Sequence, residues 1–156
     1  MSSLNAPGSR SIRLLLVDYQ PSVRRGIKMR LALEEDLEVV GEVGDAAAAI
    51  SLARALRPDV VVMDIEMPGG IALTKALHTV APRSAVVIFT LRDDAETQER
   101  AREAGAVAFV AKHQTEEALL AAIRGATGAN GKQRRQNHAS ARREEHTDDM
   151  RDRPDK

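Results

Sequence analysis

Cysteine is absent from this chain of 156 residues, which excludes disulfides and metal sites held by thiolates. Tryptophan is absent as well, and only two phenylalanines and one tyrosine are present. So small a stock of aromatic rings argues against a surface that binds nucleic-acid bases by stacking. No apolar run approaches the roughly 20 residues that a helix needs to cross a membrane.

Net charge is also lacking, because 23 basic residues balance 23 acidic ones. No overall bias therefore points to a nucleic acid or to a membrane surface. The N-terminal sequence MSSLNAPGSR has no apolar core of the kind found in signal peptides, so we expect a cytoplasmic protein.

What the sequence does contain is an alternation of apolar, β-branched segments with helix-forming segments. Each predicted strand is followed by a helical pattern, in which Pro21 suits a first turn and Asp45 and Thr115 suit N-caps. Strands without polar alternation are typical of a parallel sheet covered by helices on both faces. We therefore expect a doubly wound α/β domain whose ligands lie at the carboxyl ends of the strands. The five predicted strands are Ile12–Val17, Leu37–Gly44, Asp59–Asp64, Ser84–Thr90 and Ala106–Lys112.

The chain divides into three parts by composition. Residues 12–125 carry the α/β pattern, and residues 1–11 are predicted to be a disordered N-terminus. Residues 126–156 form a charged tail in which Met150 is the only large apolar residue. A segment so poor in apolar residues cannot bury a core, so we predict disorder there and no helix-turn-helix.

Four polar side chains stand where predicted strands end. Asp18 follows the first strand, Asp64 ends the third, Thr90 ends the fourth and Lys112 ends the fifth. Two carboxylates on one edge of a sheet can bind a hard divalent cation, while an amine and a hydroxyl can bind an anion. The combination predicts a phosphoryl-transfer site in which a carboxylate serves as the nucleophile.

These residues lie in stretches that resemble the receiver domains of bacterial response regulators, in particular the LuxR/NarL branch. The resemblance implies the flavodoxin-like receiver fold, a (βα)5 domain with strand order 2-1-3-4-5. It implies that Asp64 accepts a phosphoryl group from a histidine kinase, and that Mg²⁺ is held by Asp18, Asp64 and the backbone carbonyl of Glu66. The matching stretches span nearly all of residues 12–124: LLLVDYQPSVRRGI, LEVVGEVGDAAAAISLARALRPDVVVMDIEMPGG, VVIFT and AREAGAVAFVAK.

The same resemblance implies roles for three further residues. Lys112 would pair with the phosphoryl group, and Thr90 would move toward it, coupled to an aromatic switch position occupied by Phe109. Each also has a purely structural interpretation. Thr90 is a common strand residue, Lys112 can be a solvated strand end, and Phe109 lacks the tyrosine hydroxyl and suits a partly buried core position.

The sequence departs from the family pattern most clearly at Tyr19, which stands where a second acid is expected. Losing one carboxylate from so small a site weakens Mg²⁺ binding, although the Glu66 side chain could lend a replacement, directly or through water. The loop MPGG is shorter than usual, and Arg30 occupies a usually apolar position of the first helix. The fourth helical segment, DDAETQERAREAG, offers only alanines as apolar residues, so we expect it to pack weakly.

Three functions remain open on the sequence alone. The first is a receiver in a two-component phosphorelay that accepts phosphate on Asp64 and signals through a protein interface, in transcriptional control and without catalysis on outside substrates. The second is a degenerate receiver that dimerises, or binds a partner or a small ligand, without phosphorylation. The third is a DNA-binding regulator with a truncated output domain, although direct DNA binding by this chain alone is not expected.

A homodimer is expected through exposed faces of the first and last helices, as the resemblance suggests. Met29 and Leu33 would form an apolar pair on the first helix, and Leu119 and Leu120 would stand on the last. A downstream protein partner is expected on the same reasoning, and no membrane association.

Overall fold

The computed structural model describes residues 10–127 and shows a five-stranded parallel sheet in the order β2-β1-β3-β4-β5. This confirms the predicted doubly wound, flavodoxin-like fold and its strand order. The first strand has its predicted bounds, and the other four are shorter than predicted by one or two residues at an end. The disorder predicted for residues 1–11 and 126–156 falls almost wholly outside the described residues. The strands are β1 (Ile12–Val17), β2 (Leu37–Val43), β3 (Val60–Met63), β4 (Ala85–Thr90) and β5 (Ala108–Ala111).

Five helices alternate with these strands, and their first residues are those that the sequence favours. Pro21 opens α1, where its missing N–H costs nothing. The carboxylate of Asp45 accepts a hydrogen bond of 2.8 Å from the backbone N–H of Ala48 and so caps α2. Asp94 caps α4 in the same way through Thr97. The helices are α1 (Pro21–Leu31), α2 (Ala46–Leu56), α3 (Gly70–Val80), α4 (Ala95–Glu103) and α5 (residues 116–127).

The core lies on both faces of the sheet, because the strands carry apolar side chains on both sides. All four residues of β3 are buried, as are the last four of β1. Alternate residues of each strand enter opposite layers, so Leu15 and Val61 pack under α2 and α3 while Leu16 and Val62 pack under α1 and α5. The central strands are therefore fixed on both sides, which holds their carboxyl ends in place.

The register of the two central strands places the acids side by side. Val17 of β1 is paired with Met63 of β3, so the next residues, Asp18 and Asp64, leave the sheet together. The backbone N–H of Asp64 also donates a hydrogen bond of 3.1 Å to the carbonyl of Val17. A slip of one residue would send one acid to the opposite face, so this pairing is what brings the two carboxylates together.

The loop between β3 and α3 depends on two glycines. Gly69 has φ +72°, a left-handed conformation that glycine adopts without steric cost. A Cβ on Gly70 would lie 2.0 Å from the carbonyl oxygen of Ile65, so no other residue fits there. The short loop is closed by this contact between the start of α3 and the backbone just beyond Asp64.

The expectation that Leu119 and Leu120 lie on an exposed face of the last helix is wrong. They are 6% and 5% exposed, because α5 turns both leucines onto the sheet beside Leu31 and Val110. That expectation came from the family resemblance, which suggested a dimer face on the last helix. In the fold they are neighbouring core positions, and they are not available for a dimer contact.

The exposed apolar residues of the first helix region are Met29 and Leu33, at 67% and 74% exposure, and Leu33 lies beyond the end of α1. Between them in sequence, Arg30 forms ion pairs with Glu34 and with Glu116 of α5. The polar residue at this usually apolar position therefore links α1 to α5. In α4, Ala101 is the one buried residue, in keeping with the small apolar content predicted for that helix.

Candidate functional site

The two acids at the sheet edge share one local geometry. Asp18 and Asp64 are 3% and 5% exposed. One carboxylate oxygen of Asp18 accepts a hydrogen bond of 2.9 Å from the backbone N–H of Gln20, and one of Asp64 accepts a bond of the same length from Glu66. Each acid thus binds the N–H two residues further along, which is an Asx turn. Both carboxylates are oriented by their own loops.

Lys112 joins the two acids. Its ammonium donates to the second oxygen of Asp64 at 2.8 Å and to the second oxygen of Asp18 at 3.1 Å. Its side chain is 12% exposed, so these are shielded ion pairs and not surface contacts. The backbone places it firmly, because the N–H of Lys112 donates to the carbonyl of Thr90. Asp18, Asp64 and Lys112, predicted separately from three strand ends, therefore form one cluster.

The electrostatics of the cluster keep the lysine charged. Burial by itself would lower the pKa of Lys112, but the hydrogen bonds and charges of Asp64 and Asp18 outweigh burial and raise that pKa above its usual value. The ring of Phe89, with its centroid 5.8 Å from the ammonium, adds a cation–π contact from the side. At neutral pH Lys112 therefore stands in the site as an ammonium.

Thr90 and Phe109 lie near the cluster without joining it. Thr90 is fully buried, and its hydroxyl oxygen accepts a long hydrogen bond of 3.4 Å from the N–H of Arg92. Phe109 is half-buried and is paired with Ile88, two residues before Thr90 on the adjacent strand. Because side chains alternate along a strand, Thr90 and Phe109 lie on the same face of the sheet. This is the arrangement that a coupled movement of the two requires.

The side chains of Tyr19 and Glu66 are exposed and are not members of the ion pairs of Lys112. Tyr19 is 49% exposed, and its hydroxyl accepts a hydrogen bond of 3.4 Å from the side chain of Gln20. Glu66 is exposed at the surface, while its backbone N–H holds Asp64. Within residues 10–127 no three His, Asp or Glu side chains come together as a metal-binding group. The carboxylates that meet at this edge are therefore those of Asp18 and Asp64.

Two residues near the site were missed by the sequence reasoning. Phe89 stacks beside the Lys112 ammonium, and its place directly before Thr90 on the opposite face of β4 was the available signal. Arg24 of α1 donates a hydrogen bond to the backbone carbonyl of Asp18. Its spacing of six residues from Asp18 puts it on the first turn of the helix that follows, within reach of the strand end.

The donor atoms at this edge are suited to Mg²⁺. That ion prefers oxygen ligands from carboxylates, carbonyls and water. Asp18 and Asp64 supply two oriented carboxylates, and the backbone of Glu66 lies two residues beyond Asp64. One oxygen of each carboxylate already binds Lys112, so a divalent ion would share these oxygens with an ammonium.

A doubly wound sheet in this strand order, with two acids and a lysine at its carboxyl edge, defines the receiver class of signalling domains. The family described as "Response regulator receiver domain" matches residues 14–124, and the chain belongs to that family. It is the receiver domain of a two-component response regulator, homologous to transcriptional regulators. Receiver domains generally bind Mg²⁺ and are typically not enzymes apart from the chemistry of their own phosphorylation.

Particular relatives place the chain near the LuxR/NarL regulators. It is 38% identical over 117 residues to the uncharacterized transcriptional regulatory protein YxjL of Bacillus subtilis, covering 74% of this chain and 54% of that protein. It is 35% identical over 127 residues to the nitrate/nitrite response regulator protein NarP of Escherichia coli, covering 80% and 58%. The chain therefore spans little more than half the length of these curated relatives.

A solved structure supports the same placement. The two-component response regulator of the LuxR family from Aurantimonas sp. SI85-9A1 superposes with a TM-score of 0.72 at 33% identity. The match covers 76% of this chain and 86% of that one. Among the helices of residues 10–127, none is long and apolar enough to span a bilayer.

Proposed function

We propose that this chain accepts a phosphoryl group on Asp64 from a histidine kinase and passes the signal on through a protein interface in transcriptional control. The observation that carries the proposal is the cluster of Asp18, Asp64 and Lys112. A buried carboxylate is oriented there by the Glu66 N–H and lies against an ammonium that a second acid also binds. Such a site can accept a dianionic group, because a cation already stands beside the nucleophile.

The proposed step is a displacement at phosphorus. A carboxylate oxygen of Asp64 forms the new P–O bond as the P–N bond to the kinase imidazole breaks, and the neutral imidazole leaves with its electron pair. Mg²⁺, held by Asp18, Asp64 and the Glu66 carbonyl, would offset negative charge on the phosphoryl oxygens. Lys112 would neutralise the same charge from the end of β5, at the same edge of the sheet. Its contact with Asp18 is available to be exchanged for a contact with the phosphoryl group.

The proposed response to phosphorylation is a movement of Thr90 and Phe109. Thr90 makes one long hydrogen bond of 3.4 Å, so exchanging that bond for one to a phosphoryl oxygen costs little. When the Thr90 side chain moves, it leaves space on the face of the sheet on which Phe109 also lies. Helix α4 is next to that face and has one buried side chain, so it offers little resistance to a shift.

The proposed partners follow from this role. They are a histidine kinase, a downstream protein and a second copy of the chain, with the dimer contact through Met29 of α1 and Leu33 just after it. Direct DNA binding is not part of the proposal. A gel-shift assay with and without residues 126–156 tests that exclusion, and a shift at low salt that needs those residues would overturn it.

The deciding experiment is intact-mass spectrometry after incubation with Mg²⁺ and acetyl phosphate. We expect a phosphoryl adduct on the wild type and none on Asp64→Asn. Asp45→Asn is the matched control, because Asp45 also accepts a backbone hydrogen bond at a strand end but lies outside the site. It should keep the adduct. No adduct on the wild type over a wide range of Mg²⁺ concentration would refute the proposal.

Tyr19 decides how strongly the site binds its metal. Restoring the acid by Tyr19→Asp adds a third carboxylate beside Asp18 and should raise Mg²⁺ affinity by about tenfold or more. Glu66→Gln tests the other source of a carboxylate, and a loss of Mg²⁺ affinity there would show that the Glu66 side chain contributes. An unchanged affinity in Glu66→Gln would limit Glu66 to its backbone carbonyl.

A second candidate function is a phosphorylation-independent module, and one observation favours it. Lys112 forms an ion pair with each of the two acids, while Tyr19 stands where the resemblance leads us to expect a ligand. In that case the cluster is a structural element, and the chain signals by dimerising or by binding a partner. An unmodified wild type in the mass experiment, together with a dimer that forms equally well in Asp64→Asn, would establish this alternative.

A further inference from the structure

We infer that Arg24 is the positioning residue for Asp18, fixing the one carboxylate that β1 contributes to the site. A terminal nitrogen of Arg24 donates to the backbone carbonyl of Asp18, and its Nε donates to the Glu42 carboxylate of β2 at 3.3 Å. The Arg24 side chain is 15% exposed, so the guanidinium is largely withdrawn from water. One planar fork thus connects α1, the end of β1 and β2.

The bonds around Asp18 show why this contact matters. Its N–H donates to the carbonyl of Val43 at 3.1 Å, and its carboxylate binds Gln20 and Lys112. Its carbonyl belongs to the peptide plane that leads to Tyr19, and Arg24 holds that carbonyl. The backbone of Asp18 is thus bound at its N–H and at its carbonyl, and this places the carboxylate where Gln20 and Lys112 bind it. Without Arg24, the plane can rotate and carry the Asx turn with it.

The surroundings of the guanidinium are built to fit it. A Cβ on Gly44 would lie 2.9 Å from the same Arg24 nitrogen that binds Asp18, so glycine leaves the space that the guanidinium fills. Lys28 binds the other oxygen of Glu42 at 3.2 Å. Hydrogen bonds from Lys28 and then Arg24 lower the pKa of Glu42 below its usual value, which keeps it anionic as a partner for the arginine.

The absence of a second acid makes this positioning more important here. With Tyr19 in the adjacent position, Asp18 is the only carboxylate at the end of β1. When a metal site has fewer ligands, its affinity depends more strongly on the fixed orientation of each one. This functional half of the inference rests on the proposed Mg²⁺-dependent phosphorylation, whereas the positioning itself does not.

The test measures amide hydrogen exchange by NMR in Arg24→Gln and Gly44→Ala, the second of which displaces the guanidinium without removing it. We expect the Gln20 amide, which donates to Asp18, to exchange about tenfold faster in both variants. The Glu66 amide makes the equivalent bond to Asp64 and should not change. Gly26→Ala is the control, since Gly26 lies on the same helix with open space around it.

If Arg24 only stabilised the fold in general, the exchange rates at Gln20 and Glu66 would not differ in this way. An unchanged Gln20 rate, or equal acceleration at Gln20 and Glu66, overturns the inference, and so does a disagreement between the two variants. If one variant does not fold, the other decides.

Mg²⁺ affinity is followed through the emission of Tyr19, the only tyrosine in a chain without tryptophan, and should fall several-fold in Arg24→Gln. An Arg24→Gln affinity equal to that of the wild type overturns the functional half of the inference. A wild type that shows no response to Mg²⁺ removes the metal from the proposed function, while the exchange rates still decide the positioning.

Discussion

Replacing Lys112 by methionine tests the energetics of the acid cluster directly. Methionine keeps most of the aliphatic stem and removes the ammonium that binds Asp18 and Asp64. Breaking one side of a buried ion pair costs about 3–5 kcal/mol, because the remaining charge is left without a partner. The Lys112 side chain is 12% exposed at the sheet edge, so water can reach the acids in part. We therefore expect a loss near the lower end, about 3 kcal/mol.

Magnesium should reverse this loss. In Lys112→Met the two acids have no competing cation, so Mg²⁺ at about one hundred times its Kd should restore about 2.7 kcal/mol. The wild type should gain less, because the ammonium must give up part of its contact. Urea unfolding followed by circular dichroism, in EDTA and in Mg²⁺, gives the four free energies that are required.

The control for this prediction is Lys28→Met. Lys28 pairs with Glu42 at 3.2 Å but its side chain is 56% exposed, so its loss should cost less than about 1 kcal/mol. The reasoning fails if Lys112→Met costs as little as Lys28→Met. It also fails if Mg²⁺ stabilises the wild type and Lys112→Met equally, since the ammonium and the metal would then not share the same oxygens.

Three further predictions concern the pH dependence of the Lys112 ion pairs, the space at Gly70 and the surface ion pairs of Arg124. The pKa of Lys112 is raised in the folded state, so its stabilising effect is complete below its usual value of 10.5 and is lost as pH rises through the raised value. Unfolding free energies measured against pH should therefore converge for wild type and Lys112→Met only at strongly alkaline pH. Gly70→Ala should destabilise by about 2 kcal/mol or more, since its Cβ overlaps the Ile65 carbonyl, whereas Gly26→Ala in open helix should stabilise by up to about 1 kcal/mol. Equal melting temperatures for the two glycine variants would contradict this. Arg124→Ala should lower stability only slightly in denaturant titrations, and less at high salt, because its ion pairs with Glu34 and Asp36 are open to water; a salt-independent loss would be evidence against that reasoning.

The fold was predictable because two features of the sequence mark the βα units: the apolar run of the strand and the capping residue that begins the next helix. A run such as Val60–Met63 is apolar without alternation, which requires cover on both faces, and the capping acids Asp45 and Asp94 mark where the next helix begins. The strand order itself came from family resemblance. Periodicity shows that strands are buried and parallel, but it does not say which neighbours they take.

The site was predictable only as far as strand ends define it. Asp18, Asp64 and Lys112 each follow a strand, so parallel order alone brings them to one edge. Arg24 and Phe89 depend on how helices and side chains lie across the sheet, and linear spacing carries little of that information.

The prediction of a dimer face on the last helix was wrong for a related reason. Both Leu119 and Leu120 were expected on an exposed face of the last helix, as the resemblance suggested, and linear spacing does not show which face of that helix turns to the sheet. The wide apolar face of α5 takes both.

The ion pairs of Lys112 with Asp18 and Asp64 affect the point during synthesis at which the folded domain becomes stable. Lys112 lies 94 residues beyond Asp18 and 48 beyond Asp64, so a growing chain makes both acids long before their cation. Until β5 docks beside β4, the side chains of Asp18 and Asp64 lie together without the Lys112 ammonium that binds both. Docking of the last strand brings in that ammonium, which thereby stabilises the ends of β1 and β3 although β5 is paired with β4 and not with them. Nascent chains that end before Lys112 should stay open to proteolysis, and the domain should become protected in a single late step.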